Sequence, residues 1–296
     1  LTGCGDKATE RPDHPRLSSN VVLRDVVFRS AALGREMRYR VALPASVEPH
    51  KKLPAAYLLH GGGGDYRDWS NYSDVTRFVQ TNLVLVMPQG DYSYYVNAAR
   101  RPEDRYEDYI VEDLLSDAET RFPIAGDRMR RAIVGISMGG FGAIKIALSH
   151  PDLFVFSGAL SAAIDVPRRP FSVKRIPQYW AHRSIFGPWG SAARHGNDPF
   201  LLARSADSGK APYLFLVCGD KEGLLPTNRD FAAVLKQRHL PYEFHIAAGG
   251  HDWNQWNEQL PHVFERLRLY ISAGFAADIH AAVSSDERSP SVAPRD

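Results

Sequence analysis

The sequence predicts an α/β fold: a mostly parallel sheet covered by helices on both faces, with a lid-like insertion. Three observations lead there. Short, wholly apolar runs such as Ala55–Leu59, Leu83–Met87 and Pro212–Cys218 are what strands buried on both faces look like. Segments of helical periodicity alternate with them along the chain, the signature of βα units. And one apolar run, Ala132–Val134, empties into Gly135-Ile-Ser137-Met-Gly139 and then directly into a helical pattern. A length of 296 residues suits one large domain with tails.

Taken in order, residues 1–20 are polar beyond the first few positions, carry Pro12 and Pro15, and read as a flexible tether. Val21–Phe28 and Met37–Leu43 flank the turn-rich Ser30–Arg35 and read as an antiparallel hairpin. The strand Ala55–Leu59 runs into His60-Gly61-Gly62-Gly63-Gly64-Asp65. That loop lacks the Lys and Ser/Thr of a phosphate-binding loop and the G-x-G-x-x-G of a dinucleotide site, so it reads as a source of backbone N–H donors for an oxyanion. His60, at a strand end, reads as a hydrogen-bond partner that orders the loop. Asp68–Gln80 reads as one helix, Leu83–Met87 as a strand, and Tyr92–Asn97 as an aromatic loop suited to pocket or packing. Tyr106–Phe122 has helical spacing.

The strand Phe154–Leu160 follows the glycine-flanked serine and its helix. Between Asp165 and Ala206 the rhythm breaks: five prolines and several aromatics occur, and Val166–His195 carries Arg168, Arg169, Lys174, Arg175, Arg183 and Arg194 without one acid. This insertion, 165–206, is expected to form a lid or substrate wall. Strands at Pro212–Cys218 and Tyr242–Ile246, and helices at Asn228–Arg238 and from Trp253 to about Ile271, complete a domain over 21–271. Residues 272–296 are expected to be disordered.

The chemistry centres on Ser137. A strand–turn–helix setting is what makes G-x-S-x-G meaningful, because the turn lifts the hydroxyl off the sheet edge beside a helix N-terminus. A serine needs a base, and the base needs an acid to hold its tautomer. Of the eleven histidines, His251 follows the last strand in Gly249-Gly-His-Asp-Trp253 and is the expected base. Two carboxylates after the preceding strand, Asp220 and Glu222, compete for the acid, and spacing alone does not choose between them.

Val134-Gly-Ile-Ser-Met-Gly-Gly-Phe-Gly-Ala143, Leu58-Leu-His-Gly-Gly62 with Asp65 and Trp69, and Gly249-Gly-His-Asp-Trp253 together resemble the esterase D family of α/β-hydrolases. That family includes feruloyl and acetyl-xylan esterases, S-formylglutathione hydrolase and the antigen 85 mycolyltransferases. The resemblance spans roughly 21–271. It implies the α/β-hydrolase fold, a serine carboxylic-ester hydrolase with Ser137 as nucleophile and His251 as base, and no metal or cofactor. It further implies Glu222 as acid with Asp220 in reserve, and the N–H groups of Gly62 and Met138 as oxyanion hole. The expected substrate is a small-molecule or carbohydrate-linked ester, with Tyr95, Trp180, Trp189 and Trp253 as candidate substrate contacts. Acyl transfer to another acceptor, or an inactive binding protein on the same fold, are the alternatives.

Net charge is +2, and nothing global suggests a nucleic-acid partner. Two cysteines, Cys4 and Cys218, make no disulfide framework. Leu1-Thr-Gly-Cys4 resembles a bacterial lipobox, which implies anchoring through a lipidated Cys4 and a cell-envelope or secreted location; a cytoplasmic one is the alternative.

Overall fold

Eight strands form one sheet in the order β1–β2–β4–β3–β5–β6–β7–β8. They are β1 Val21–Arg29, β2 Glu36–Pro44, β3 Ala55–Leu59, β4 Val84–Pro88, β5 Arg131–Ile136, β6 Phe156–Leu160, β7 Tyr213–Gly219 and β8 Tyr242–Ala247. The computed structural model describes residues 12–173 and 176–271, Thr81 by its backbone only. The predicted hairpin forms, with Val21 opposite Pro44 and Arg29 opposite Glu36. Only β2 runs against its neighbours; β4, β3, β5, β6, β7 and β8 pair in parallel. Every residue of β3 to β7 is buried, as parallel strands covered on both faces must be.

Side chains alternate between two cores. Tyr57, Leu59 and Ile133 join Leu114, Phe141 and Ile146 on one face. Leu58, Val134 and Ile136 join Trp69, Val79, Phe264 and Leu267 on the other. The helices behind these contacts are α1 Asp68–Tyr72, α2 Tyr106–Asp108, α3 Leu115–Arg121, α4 Met138–Ser149 and α9 Trp253–Ile271. The insertion supplies α5 Ile176–Phe186, α6 Ala192–Gly196 and α7 Pro199–Ser205, and α8 Leu225–Gln237 follows β7. Among the described residues no helix is long and apolar enough to cross a membrane.

Strand order places the site. The chain crosses to β4 on one side of β3 and returns to β5 on the other, so a crevice opens where the connections diverge. Leu59 pairs with Gly135 at the ends of β3 and β5, which brings the glycine loop and Ser137 out side by side.

Three expectations need correction. Asp68–Gln80 is two pieces, α1 and the 3₁₀ turn Val75–Thr81. Ser73 between them is extended, and its Oγ donates to the Trp69 carbonyl (2.5 Å) and accepts from the Val75 N–H, replacing the main-chain ladder. Tyr106–Phe122 is continuous but winds as a π-helix over Tyr109–Leu114 between α2 and α3. And residues 12–20, expected to belong to a free tether, lie along the domain. The Arg16 N–H donates to the Ser70 carbonyl (2.7 Å), Ser18 N–H to Thr76 Oγ1 (3.0 Å), and Asp13 pairs with buried Arg40 (2.6 Å). Residues 1–11 with Cys4, and the tail 272–296, lie outside the described residues.

Candidate active site

Ser137 sits between β5 and α4 at φ 54° and ψ −112°, a conformation L-residues avoid at a cost of about 1–3 kcal/mol. The surroundings enforce it. A Cβ on Gly135 would overlap the Gly139 carbonyl, and one on Gly139 would overlap the Leu59 carbonyl. The Ser137 N–H donates to Leu160 O (2.9 Å), and its carbonyl accepts from Phe141 N–H (3.0 Å) and Ala163 N–H (3.1 Å). Backbone pinned by β6, the loop after it and α4 leaves the hydroxyl projecting over the crevice.

His251 Nε2 lies 2.9 Å from Ser137 Oγ, and its Nδ1 lies 2.7 Å from Glu222 Oε2. A carboxylate only accepts, so the imidazole proton belongs on Nδ1 and Nε2 is left to take the serine proton. The acid is enclosed while the base is open: the Glu222 side chain is 1% exposed and that of His251 41%. Oε1 of Glu222 accepts from Ser161 Oγ (2.5 Å) and Gly219 N–H (2.8 Å), so three donors surround the carboxylate. Ser161 Oγ in turn accepts from Trp256 Nε1 (2.8 Å), and the Trp256 ring packs edge-on against His251 with centroids 5.1 Å apart.

Of the two carboxylates left open by spacing, the structure brings Glu222 to His251. Asp220 instead accepts from the Gly249 N–H (2.9 Å), bracing the loop that carries the histidine. Cys218 is buried, and burial pushes its thiol up to about 12.

The glycine loop reaches the same crevice. A Cβ on Gly62 would stand 3.9 Å from Met138 Cβ and 3.3 Å from the Tyr92 ring. His60 clamps the loop as expected: its Nε2 accepts from Gly90 N–H (2.9 Å) and its Nδ1 faces the Gly61 carbonyl (2.8 Å). Tyr95 is not a substrate contact. It is fully buried, its hydroxyl donates to the His60 carbonyl (3.1 Å), and it fills space that side chains on Gly90 and Gly142 would occupy.

Beside the crevice lies a cavity of about 460 Å³, walled by Tyr92, Arg169, Pro170, Tyr179, His182 and Arg194 among others. None of the three expected tryptophans lines it. Trp180 is exposed and packs edge-on against Tyr179, and Trp189 is exposed with Arg194 over its ring. Trp253 packs among Trp69, Tyr72 and Trp256, next to the histidine loop. His182 is pushed down to about 4, first by burial and then by the charges of Arg169 and Arg194, so it is neutral at pH 7.

Sequence reasoning missed Ser161, Trp256 and His182 in these positions, while Tyr92 belongs to the aromatic loop expected to serve pocket or packing. For Ser161 a signal existed, since a serine directly follows the strand after the elbow; the structure holds it at a positive φ of 52°.

The Esterase family model matches residues 30–267 of the chain. The chain belongs to this family of α/β-hydrolases. Its likeness extends to an acetyl esterase of Caldicellulosiruptor saccharolyticus, 27% identical over 265 residues, covering 83% of this chain and 97% of that protein. Among solved structures it resembles the fluorophosphonate-binding serine hydrolase FphF of Staphylococcus aureus, with a TM-score of 0.73 at 26% identity, covering 83% of this chain and 98% of the other. A ferulic acid esterase has a TM-score of 0.73 at 25% identity, covering 86% and 99%. Family and fold together make this esterase-family chain a hydrolase of carboxylic esters.

Proposed function

We propose that the chain hydrolyses esters through a covalent acyl-enzyme on Ser137, with His251 as the base and Glu222 as the acid that orients it. The observation that carries this reading is the unbroken chain of contacts from Ser137 Oγ through His251 to Glu222. His251 Nε2 removes the hydroxyl proton as Oγ attacks the ester carbonyl, and Glu222 stabilises the imidazolium. The N–H groups of Gly62 and Met138 receive the oxyanion; such donors contribute ~10²–10³ each in rate. His251 then protonates the departing alcohol and afterwards activates water against the acyl-enzyme.

The substrate is a small-molecule or carbohydrate-linked ester whose variable part enters the cavity beside Tyr92. The FphF neighbour is described as fluorophosphonate-binding, which supports the same chemistry at Ser137. Ser137→Ala should abolish p-nitrophenyl acetate turnover and fluorophosphonate labelling together. Undiminished turnover in that variant would remove Ser137 from the mechanism.

A further inference from the structure

We propose that the preferred ester carries a carboxylate, held in the cavity beside Tyr92 by the guanidinium of Arg194 with Arg169 at its side. The inference rests on Ser137 being the nucleophile and adds the substrate class to that reading.

Position comes first. Tyr92 is a shared wall: one edge of its ring stands against Gly62 at the crevice, and the residue also lines the cavity. Its hydroxyl lies 3.4 Å from His182 Nε2, deeper along the same wall. A group bonded to the scissile ester therefore needs only about one ring's length to enter. A volume near 460 Å³ holds a ring with one substituent.

Charge comes second. The insertion's arginines are not equally compensated. Arg169 makes a two-pronged contact with Asp165 (2.8 and 2.9 Å), and Arg168 pairs with Asp198 (2.7 Å). Arg194 is different. It is 6% exposed, yet its guanidinium bonds to the carbonyls of Gly187 and Pro167, and among the described residues it meets no carboxylate. Burial holds the Arg194 pKa below the usual guanidinium range, Tyr179 partly offsets this, and the nearby cation Arg183 adds to the lowering; the Arg183 Nε is buried without a hydrogen-bond partner among the described residues. A buried cation without a counterion is costly. Three of the five Arg194 N–H groups are used by carbonyls, which leaves donors for an acceptor in the cavity. His182 does not compete, since burial first, and then the charges of Arg169 and Arg194, keep it neutral. The cavity thus presents a positive wall, an apolar ring surface in Tyr92 and Tyr179, and neutral donors.

The carboxylate could sit on the acyl or the alcohol side, and two substrate pairs separate these. The acyl pair is p-nitrophenyl monosuccinate and its methyl ester; the alcohol pair is para-acetoxybenzoate and its methyl ester. For each pair the ratio of kcat/KM, charged over neutral, is measured in the full chain at low and high salt. In one pair the ratio should exceed about tenfold, the discrimination of one charge-assisted hydrogen bond. It should fall with salt, and fall toward one in Arg194→Met, while Arg194→Lys keeps part of it. Because Arg194 also ties two carbonyls, circular dichroism and the wild-type salt series stand beside the variants. Ratios at or below one in both wild-type pairs, or a ratio unchanged in a folded Arg194→Met, overturn the proposal. Loss of neutral p-nitrophenyl acetate hydrolysis in the wild type would overturn the serine-hydrolase reading instead.

Discussion

Replacing Glu222 by Gln tests the site at its most enclosed point. The carboxylate accepts from His251 Nδ1, Ser161 Oγ and Gly219 N–H, and its side chain is 1% exposed. An amide keeps the shape but has one acceptor oxygen. If that oxygen stays with Gly219 and Ser161, the NH₂ group points at His251 Nδ1 and forces the imidazole proton onto Nε2. The nitrogen 2.9 Å from Ser137 Oγ then cannot accept the serine proton. Wrong-tautomer variants of serine hydrolases lose ~10⁴ in kcat, about 5.5 kcal/mol of barrier. Stability should change little, since a buried charge is exchanged for a neutral group of equal volume. The assay is p-nitrophenyl acetate hydrolysis across pH, with urea unfolding as control. An E222Q variant within tenfold of wild type, or an Asp220→Asn variant equally impaired, would refute the reasoning.

Other outcomes follow from the same contacts. Ser161→Ala removes one of three donors from Glu222 and leaves the buried Trp256 Nε1 without its acceptor; a buried group so orphaned costs about 1–3 kcal/mol, so urea midpoints should drop and kcat should fall more than KM changes. Gly135→Ala drives a Cβ into the Gly139 carbonyl and should destabilise by more than about 2 kcal/mol with loss of activity, read by thermal unfolding and turnover. Arg40→Met leaves Asp13 and Asp25 without their buried partner; limited proteolysis should then cut within 12–20 much faster than in wild type. Burial lowers the His182 pKa from 6.5 to about 4, so the folded state resists protonation. The stability this group contributes is present above pH 6.5 and lost as pH falls toward about 4; His182→Gln should flatten that part of the curve in urea titrations at stepped pH.

What the sequence revealed was whatever depends on local pattern. Strands buried on both faces leave uninterrupted apolar runs, so β3, β5 and β7 were legible to within a residue or two. The elbow was legible because two glycines are sterically demanded around Ser137. What stayed hidden depends on contacts between distant segments. Ser73 breaks a helix by one side-chain bond to Trp69, which apolar spacing cannot register. Tyr92 and Tyr95 are three positions apart in one aromatic loop, yet positive φ values at Tyr94 and Tyr95 send Tyr95 inward beneath His60 while Tyr92 walls the cavity. The segment 12–20 reads as polar linker, but Arg40, buried in β2, requires the carboxylates that Asp13 and Asp25 bring.

The most direct test is to quench a reaction with p-nitrophenyl acetate in acid within the first turnovers and map the adduct by peptide mass spectrometry. The mechanism predicts an acetyl group on the peptide containing Ser137, absent in Ser137→Ala and accumulating in a variant slow to deacylate. Acetylation confined to another residue, or normal turnover with Ser137 unmodified at every time point, would contradict it.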